Sequence, residues 1–575
     1  MSKKAKKILT YFLVFIGIVL MAFLGLFALL YIMPGTSILG YEYFYINKVE
    51  EKIIPMTELS ANSAVAFKIK ANKGSVSIKP NSQSDKIKIV YTQNAQGITK
   101  STDSEIVFKT DYSVENYEYD NSSYKSLILT ALEPSFFSVF SSSKIEIFLP
   151  NSRSFSVVSC DSARDVTFVS SLTENTTITQ ENGTEQKQEN IYNLSIGRLY
   201  LNVNGGGNIY VDSDVVTKNG ETKDISQTIN FYYFKINNGS VQLKNNNSLT
   251  ANQMVIEGNS GNFKFKNAGE ATLNLSNGLI INSTNNGNLD VNIDKLLGPL
   301  KINATTGKFE INEIGSDEAR QSVVINSCKA TYKFGNVFGY VSLANMGENP
   351  ANTVEITNLV NKTTNDNMFE IGNGYLCINN LEGNSNFSSK GGYMVCKNIN
   401  KNTSVNVLSD SGTINLTYEK SNQAITTTYI DVFTNTGDIY INNISGLLHL
   451  EVFKKSSNSL INLNFSAVSY SDDKSIDNYI NANDRVVNIA LIGITDDFIF
   501  RLLTNSDVAF SENIRGLVSQ VNSQDLDYVL NQEKYSSYQK EYRVGYFNPT
   551  SSAEFNSYGK MLIKTSATTK IFANT

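Results

Sequence analysis

The chain has 575 residues, a formal charge of −5, four cysteines, a single histidine and no tryptophan. No concentrated basic run follows the N-terminus, which excludes a phosphate-neutralising nucleic-acid interface. Cysteines this sparse and scattered make neither a disulfide framework nor the close ligand pairs of a zinc site.

The first element is a membrane anchor. Lys3, Lys4, Lys6 and Lys7 precede 26 uncharged residues from Ile8 to Met33. At about 1.5 Å per residue this stretch can cross a hydrocarbon core of about 30 Å. It exceeds the apolar region of a signal peptide, about 7–15 residues, and no Ala-x-Ala-like site or lipoprotein cysteine follows it. The lysines are therefore expected in the cytoplasm and everything after Pro34 outside the cell. Tyr41, Tyr43, Phe44 and Tyr45 either rest on the outer headgroups or begin the first strand. No second stretch of spanning length follows, and the C-terminal Ile571–Thr575 does not read as a sorting tail.

The dominant pattern beyond the anchor is a glycine followed by apolar residues two and four positions later. It begins at Gly74-Ser75-Val76-Ser77-Ile78 and returns at Gly207, Gly239, Gly261, Gly287, Gly307, Gly339, Gly374, Gly392, Gly412 and Gly437. Alternation at period two is a strand with one buried face, and the glycine suits a turn before it. From Gly239 to Gly437 the gaps are 22, 26, 20, 32, 35, 18, 20 and 25 residues, the spacing of stacked repeats that bury their apolar faces on one another. The expected fold is all-β, an elongated β-solenoid of short-strand rungs on a single N-terminal transmembrane helix. The 72 asparagines suit its corners and side-chain ladders, although AT-rich coding also enriches asparagine.

In chain order the expected regions are a cytoplasmic tail (1–7), the anchor (8–33), a juxtamembrane linker (34–60) and a first strand-rich block (61–190). Regular repeats (191–450) and a less regular β region with a cap (451–575) follow. Within the first block, Ser75–Pro80 and Lys86–Tyr91 read as two strands joined by a turn. Lys144–Pro150 is another strand, and Thr173–Asn190 reads as a loop. Near the C-terminus Asp525–Glu541 reads as a short helix and Gly559–Lys564 as a last, capping strand. The Gly-x-apolar-x-apolar register places Val241, Phe263, Phe265, Leu289, Val291, Ile414, Leu416, Ile439 and Ile441 inside, with Gln242, Lys264, Asp290 and Tyr440 outside.

The segments GSVSIKP…DKIKIVY, KIEIFLP and TNTGDIYINNISGLLHLEVF resemble the putative-adhesin β-strand repeat family of bacterial envelope proteins. The resemblance covers most of residues 61–450. It implies a surface adhesin or an accessory part of an envelope-stress system, with no catalytic residues to carry over.

The sequence offers little for chemistry. His449 reads as a solvent-facing strand residue without a recognisable acid and nucleophile beside it. Asp472-Asp473 and Asp496-Asp497 are adjacent pairs, and strand neighbours face opposite ways. Gly205–Asp212 echoes a calcium-binding β-roll repeat, but it occurs once and lacks the aspartate expected after the glycines. Cys396 falls on an inward position and Cys377 on the opposite phase, a poor pair for a bridge. No catalytic residue, cofactor or metal is therefore expected. The expected role is a non-catalytic structural, adhesion or binding module at the cell membrane. Its partners are the bilayer, through residues 8–33, and an unidentified surface protein or glycan, with no nucleic acid. A sensory partner in an envelope-stress system and a β-helix enzyme acting on polysaccharide are the alternatives.

Overall fold

The computed structural model describes residues 3–32, 37–38 and 41–59, then 62–522 with breaks. Breaks of four residues or more fall at 101–108, 133–136, 180–184, 224–228, 266–270, 284–287, 420–428, 445–448, 455–460, 467–476, 493–497 and 511–517. Beyond 522 it describes 540–544, 559–565 and 568–574. Strand dominates, in large mixed ladders that follow one N-terminal helix.

That helix, Lys3–Ile32, is uninterrupted by proline or charge after its basic first turns. Its side chains from Lys6 to Gly25 are uncovered, and the segment is long and apolar enough to cross a membrane. The Thr10 hydroxyl donates to the Lys6 carbonyl at 2.9 Å, which satisfies it within the helix. Length and composition here fit an anchor and a signal sequence alike.

The rest divides into two compact units, residues 1–251 with 260–264, and residues 252–259 with 265–575. In the first, Asn62–Lys70, Ser154–Ser162, Ser195–Val203 and Ile229–Ile236 pair in parallel. A second series runs in parallel through Phe137–Pro150, Gly74–Asn81, Val166–Val169, Ile209–Asp212, Gly239–Lys244 and Gly261–Phe265. Val76, Ile78, Ile147, Phe168, Ile209 and Val241 are buried, as the alternation requires.

One feature of this unit adds to the sequence reading and another corrects it. Gly74–Asn81 and Ile87–Lys100 do not pair with each other, because Phe137–Pro150 lies between them, parallel to the first and antiparallel to the second. A five-residue turn allows a hairpin but does not compel one when a third strand with a buried alternating face can enter. The described residues of Thr173–Asn190 are not a loop: Ser171–Thr179 and Glu185–Asn193 form an antiparallel ribbon. A two-stranded ribbon is held by its backbone ladder, so its arms need no apolar period. Thr173, Thr176, Thr177 and Thr179 are the local cue for extended structure. Tyr41–Ile54 is a strand, paired antiparallel with Ile87–Lys100, and Tyr45 on it is exposed.

The second unit repeats one pairing rule. In the two series that follow, each strand lies parallel to another about one sequence repeat further on, whereas Lys540–Val544 pairs antiparallel with Phe498–Thr504 and Val518–Asn522. One series contains Asn367–Gly372, Ser385–Ser389, Val405–Ser409, Tyr429–Thr434, His449–Lys454 and Asp477–Ala482. The other contains Thr353–Val360, Tyr375–Glu382, Tyr393–Ile399, Thr413–Tyr418, Asp438–Ile444 and Ile461–Ser466. All nine residues placed inside by the glycine register are at most 2 % exposed. Lys264 and Asp290 are exposed as expected, while Gln242 and Tyr440 are half-buried among their outward neighbours. Inside, Phe309 stacks on Tyr332 at 5.2 Å and Phe369 on Phe387 at 5.4 Å between ring centroids.

The repeat glycines serve mainly close approach. At Gly239, whose φ is ordinary, an added Cβ would lie 1.8 Å from the Gly207 carbonyl oxygen. In the second unit Gly374, Gly392, Gly412 and Gly437 form a column in which each Cβ would strike the preceding strand's backbone. Gly412 also has φ +115, a conformation that side chains rarely adopt. Gly287 lies outside the described residues. Buried asparagines complete the corners. Asn352 Oδ1 accepts from the Ala330 amide at 3.1 Å and from Ser327 Oγ at 2.5 Å, and Asn367 Oδ1 accepts from the Val341 amide at 3.0 Å. Each supplies a bond that the turning backbone would otherwise lack.

The C-terminal expectations need two changes. Residues 525–539 of the expected helix lie outside the described residues, and Lys540 and Glu541 belong to the strand Lys540–Val544. Gly559–Thr565 is a strand, but neither last nor outermost. It pairs in parallel with Asp477–Ala482 on one side and Phe498–Thr504 on the other. Thr568–Asn574 follows it and lies between Val486–Ile492 and Val508–Phe510. Alternation marks these residues as strand without saying which edges they join.

Candidate functional site

Burying one phase of every strand leaves the other phase as a set of outward columns. On the Thr353–Thr413 series, one column is an asparagine ladder. Asn358 Nδ2 donates to Asn336 Oδ1 at 2.6 Å, Asn380 Nδ2 to Asn358 Oδ1 at 2.5 Å, and Asn398 Nδ2 to Asn380 Oδ1 at 3.0 Å. Asn282, Asn303 and Asn326 form a second ladder at 2.9 Å per step. Nearby charges come as opposite pairs, Lys295–Glu313 at 2.6 Å and Lys308–Glu310 at 2.8 Å. The Tyr375 and Tyr393 rings stack at 6.0 Å. The Tyr375 phenol is pushed up to about 12, first by its hydrogen bond with the Cys377 thiol and then by burial. This face is polar, and Glu310 and Glu313 beside it are each paired with a lysine.

The Asn367–Tyr429 series presents a different face. Its inward residues Phe369, Phe387, Val407 and Val432 are buried, whereas Met368, Leu408, Tyr429 and Phe433 stand 51 %, 62 %, 52 % and 36 % exposed. Leu408 and Phe433 are register partners on adjacent strands. Glu370 and Asp431 occupy the same outward phase, and the register continues to His449, Glu451 and Phe453, then to Asp477 and Tyr479. The strand Tyr429–Thr434 carries an acid between two rings in the order Tyr429-Asp431-Phe433. Sequence reasoning missed this face. Its signal was the unbroken apolar pairs Val407-Leu408 and Val432-Phe433, since one member of each must point outward.

In the first unit, Tyr200 packs against Phe231 and Tyr233 at 5.5 Å each, on strands that also carry Arg198 and Lys235. Elsewhere on that unit, Lys79 and Lys144 donate to Glu146 at 2.8 and 2.9 Å. Partial burial works to raise the Glu146 pKa, but these two ammonium groups hold it below the usual carboxylate range.

Among the described residues, those singled out from sequence for chemistry do not come together. His449 shares a register position with exposed Tyr429 and with Asp477. Asp472, Asp473, Asp496 and Asp497 lie outside the described residues. In the glycine-rich segment, Asp165 accepts from the Asn208 amide at 2.6 Å and from its side chain at 3.2 Å, which ties two strands at a corner. No group of three or more His, Cys, Asp or Glu converges among the described residues. Cys396 is fully buried, and Cys377 lies on the opposite phase under its neighbours. All four cysteines are free thiols, and burial pushes the Cys160 and Cys396 thiols well up.

No family model matches the sequence, and no curated protein matches it. Among solved structures it is similar to a putative cell adhesion protein from Clostridium sporogenes, with 12 % identity and a TM-score of 0.21. That match covers 49 % of this chain and 100 % of the other.

Proposed function

We propose that the chain is a membrane-anchored extracytoplasmic β-solenoid that serves as a non-catalytic adhesion or binding module, held by residues 8–33. The observation that carries this reading is the repeated parallel register, with one phase buried and the other laid out as flat columns of asparagine, charge pairs and rings. Rungs that recur at about 4.8 Å build area rather than a pocket. Paired charges and ladders along such a face suit recognition by a surface protein or glycan. The uncovered apolar helix supports the anchor. In this reading residues 1–7 are cytoplasmic, 34–60 link the anchor to a first strand-rich block (61–190), 191–450 hold the regular repeats, and 451–575 form a less regular C-terminal β region with its cap.

The test is protease accessibility in wall-permeable cells that carry an N-terminal and a C-terminal tag on the full chain. External protease is expected to remove the C-terminal tag and leave a small membrane-bound N-terminal stub. Protection of the C-terminal tag refutes the topology. Release of an intact C-terminal fragment without protease refutes the anchor in favour of a cleaved signal.

A further inference from the structure

We infer that the strand Tyr41–Ile54 is a self-association edge, where a second copy of this chain pairs antiparallel about a two-fold axis through Val49. The inference stands apart from the adhesion reading and needs only this strand and its neighbours. One edge of the strand is taken along its whole length by Ile87–Lys100, from Tyr41 opposite Lys100 to Ile54 opposite Ile87. On the other edge Ser37–Ile38 folds back and pairs with Tyr41 and Glu42 alone. No further strand joins it among the described residues, so the backbone from residue 43 to 54 offers an open ladder there. Every second residue of that stretch turns its N–H and C=O away from Ile87–Lys100. The outward phase is Tyr45, Asn47, Val49, Glu51 and Ile53, all exposed. Its three apolar members, Tyr45, Val49 and Ile53, stand 67 %, 63 % and 55 % exposed. An open edge bordered by an apolar stripe is the arrangement that a further strand covers.

The order of residues along the strand selects the occupant. Charges on an edge usually keep it solitary, because a copy brings like charges together. Here they alternate so that a copy does the opposite. A two-fold axis normal to the sheet sets residues of the same phase across from each other. With Val49 opposite the second copy's Val49, Tyr45 meets Ile53 and Ile53 meets Tyr45. Lys48 then lies opposite Glu50, Asn47 opposite Glu51, and Ile46 opposite Lys52. No like charges face each other, and the register runs from residue 44 to 54, within the open stretch. Moving the axis to Lys48 or to Glu50 sets two lysines or two glutamates face to face. Lys48 already pairs with Glu50 of its own strand, and Glu51 with Lys88 of the next at 2.8 Å. The dimer joins the two Lys48–Glu50 pairs into an alternating cluster of four charges. An unrelated strand would have to supply this mirrored order, whereas a second copy carries it by symmetry.

The test uses the full chain in detergent micelles, with Cys328→Ser to remove the native thiol that is not buried. Val49→Cys is expected to form a disulfide-linked dimer under mild oxidation, since residues directly opposite on antiparallel strands lie within disulfide reach. Tyr45→Cys and Ile53→Cys chains, when mixed, are expected to link to each other. Tyr45→Cys alone is not, because its two copies lie eight residues apart along the strands, about 27 Å. Without added cysteine, light scattering is expected to give twice the chain mass. Val49→Lys should raise the dimer dissociation constant about tenfold, as two ammonium groups then face each other across the axis. All three positions are exposed, so these changes leave the core intact. Four outcomes overturn the proposal. One is a monomer at every concentration, and another is Tyr45→Cys linking to itself as readily as to Ile53→Cys. A third is a dimer indifferent to Val49→Lys, which assigns the association to the helix or another face. The last is a monomer whose Val49→Cys thiol reacts in micelles but not in lipid nanodiscs, which assigns the stripe to the bilayer surface.

Discussion

Substituting alanine for Gly412 isolates the device that lets successive strands stack. The new Cβ would lie 2.0 Å from the Gly392 carbonyl oxygen and 3.0 Å from the Gly391 carbonyl carbon, both backbone atoms with no side chain to swing aside. The φ of +115 adds strain of about 2 kcal/mol for a residue with a Cβ. Parting the two strands far enough to relieve the clash forfeits about one ladder hydrogen bond, worth about 1 kcal/mol. The expected local cost is therefore about 3 kcal/mol. Gly391→Ala is the control one strand back: its Cβ would meet only the ends of the Asn373 and Ser411 side chains, at 2.8 and 3.1 Å. Stacked repeats can open piecemeal, so a global melting curve is the wrong assay. Amide hydrogen exchange read by mass spectrometry on peptides covering 385–418 measures local opening directly. In Gly412→Ala those amides should exchange about a hundredfold faster, and in Gly391→Ala hardly faster at all. Equal protection in the two variants would refute the argument that backbone approach demands glycine there.

Four other outcomes are expected. Phe265→Ala, at 1 % exposure, should lower the free energy of opening its rung by about 3–5 kcal/mol, and Lys264→Ala by far less, by the same exchange assay; the reverse order rejects the register. Asn380→Ala removes two ladder bonds and Asn398→Ala one, so the first should cost about twice the second, each step on the order of 0.5 kcal/mol at these exposed positions. Because the Glu146 pKa is depressed, its contribution to stability is present above the unfolded-state value and is lost as pH falls through the folded one. Lys79→Gln should shrink that acid-dependent loss in thermal unfolding followed from neutral to acid pH, and an unchanged acid limb counts against the lysine's role. A thiol reagent applied to the native chain should label half-buried Cys328 before Cys160 and Cys396, which should react only after unfolding, as mass spectrometry will resolve.

Strand phase was legible because burial is written residue by residue. Phe263-Lys264-Phe265 and Ile439-Tyr440-Ile441 state which side is inside, and the described structure agrees. Partner choice was not legible, because every alternating strand offers the same backbone donors and acceptors to any neighbour. That is why Phe137–Pro150 could enter between two strands adjacent in sequence, and why the last strands joined interior edges. The ribbon at 171–193 escaped notice because a ladder needs no apolar period. The acidic aromatic face was half legible: a strand such as Tyr429-Ile430-Asp431-Val432-Phe433 carries apolar residues on both phases, but only the register shows that Leu408 and Phe433 meet.

The placement of the final strands has a consequence for biosynthesis. A ribosome releases Phe498–Thr504 and Val508–Phe510 well before Gly559–Thr565 and Thr568–Asn574, yet the later pair lies between the earlier pair and the strands at Asp477–Ala482 and Val486–Ile492. Until residues 559–574 emerge, that layer is missing and four strand edges wait unpaired, the condition under which chains join wrong neighbours. A premature stop a few residues past 550 would therefore not trim a frayed tip. It would excise an inner course of masonry from under the courses above it.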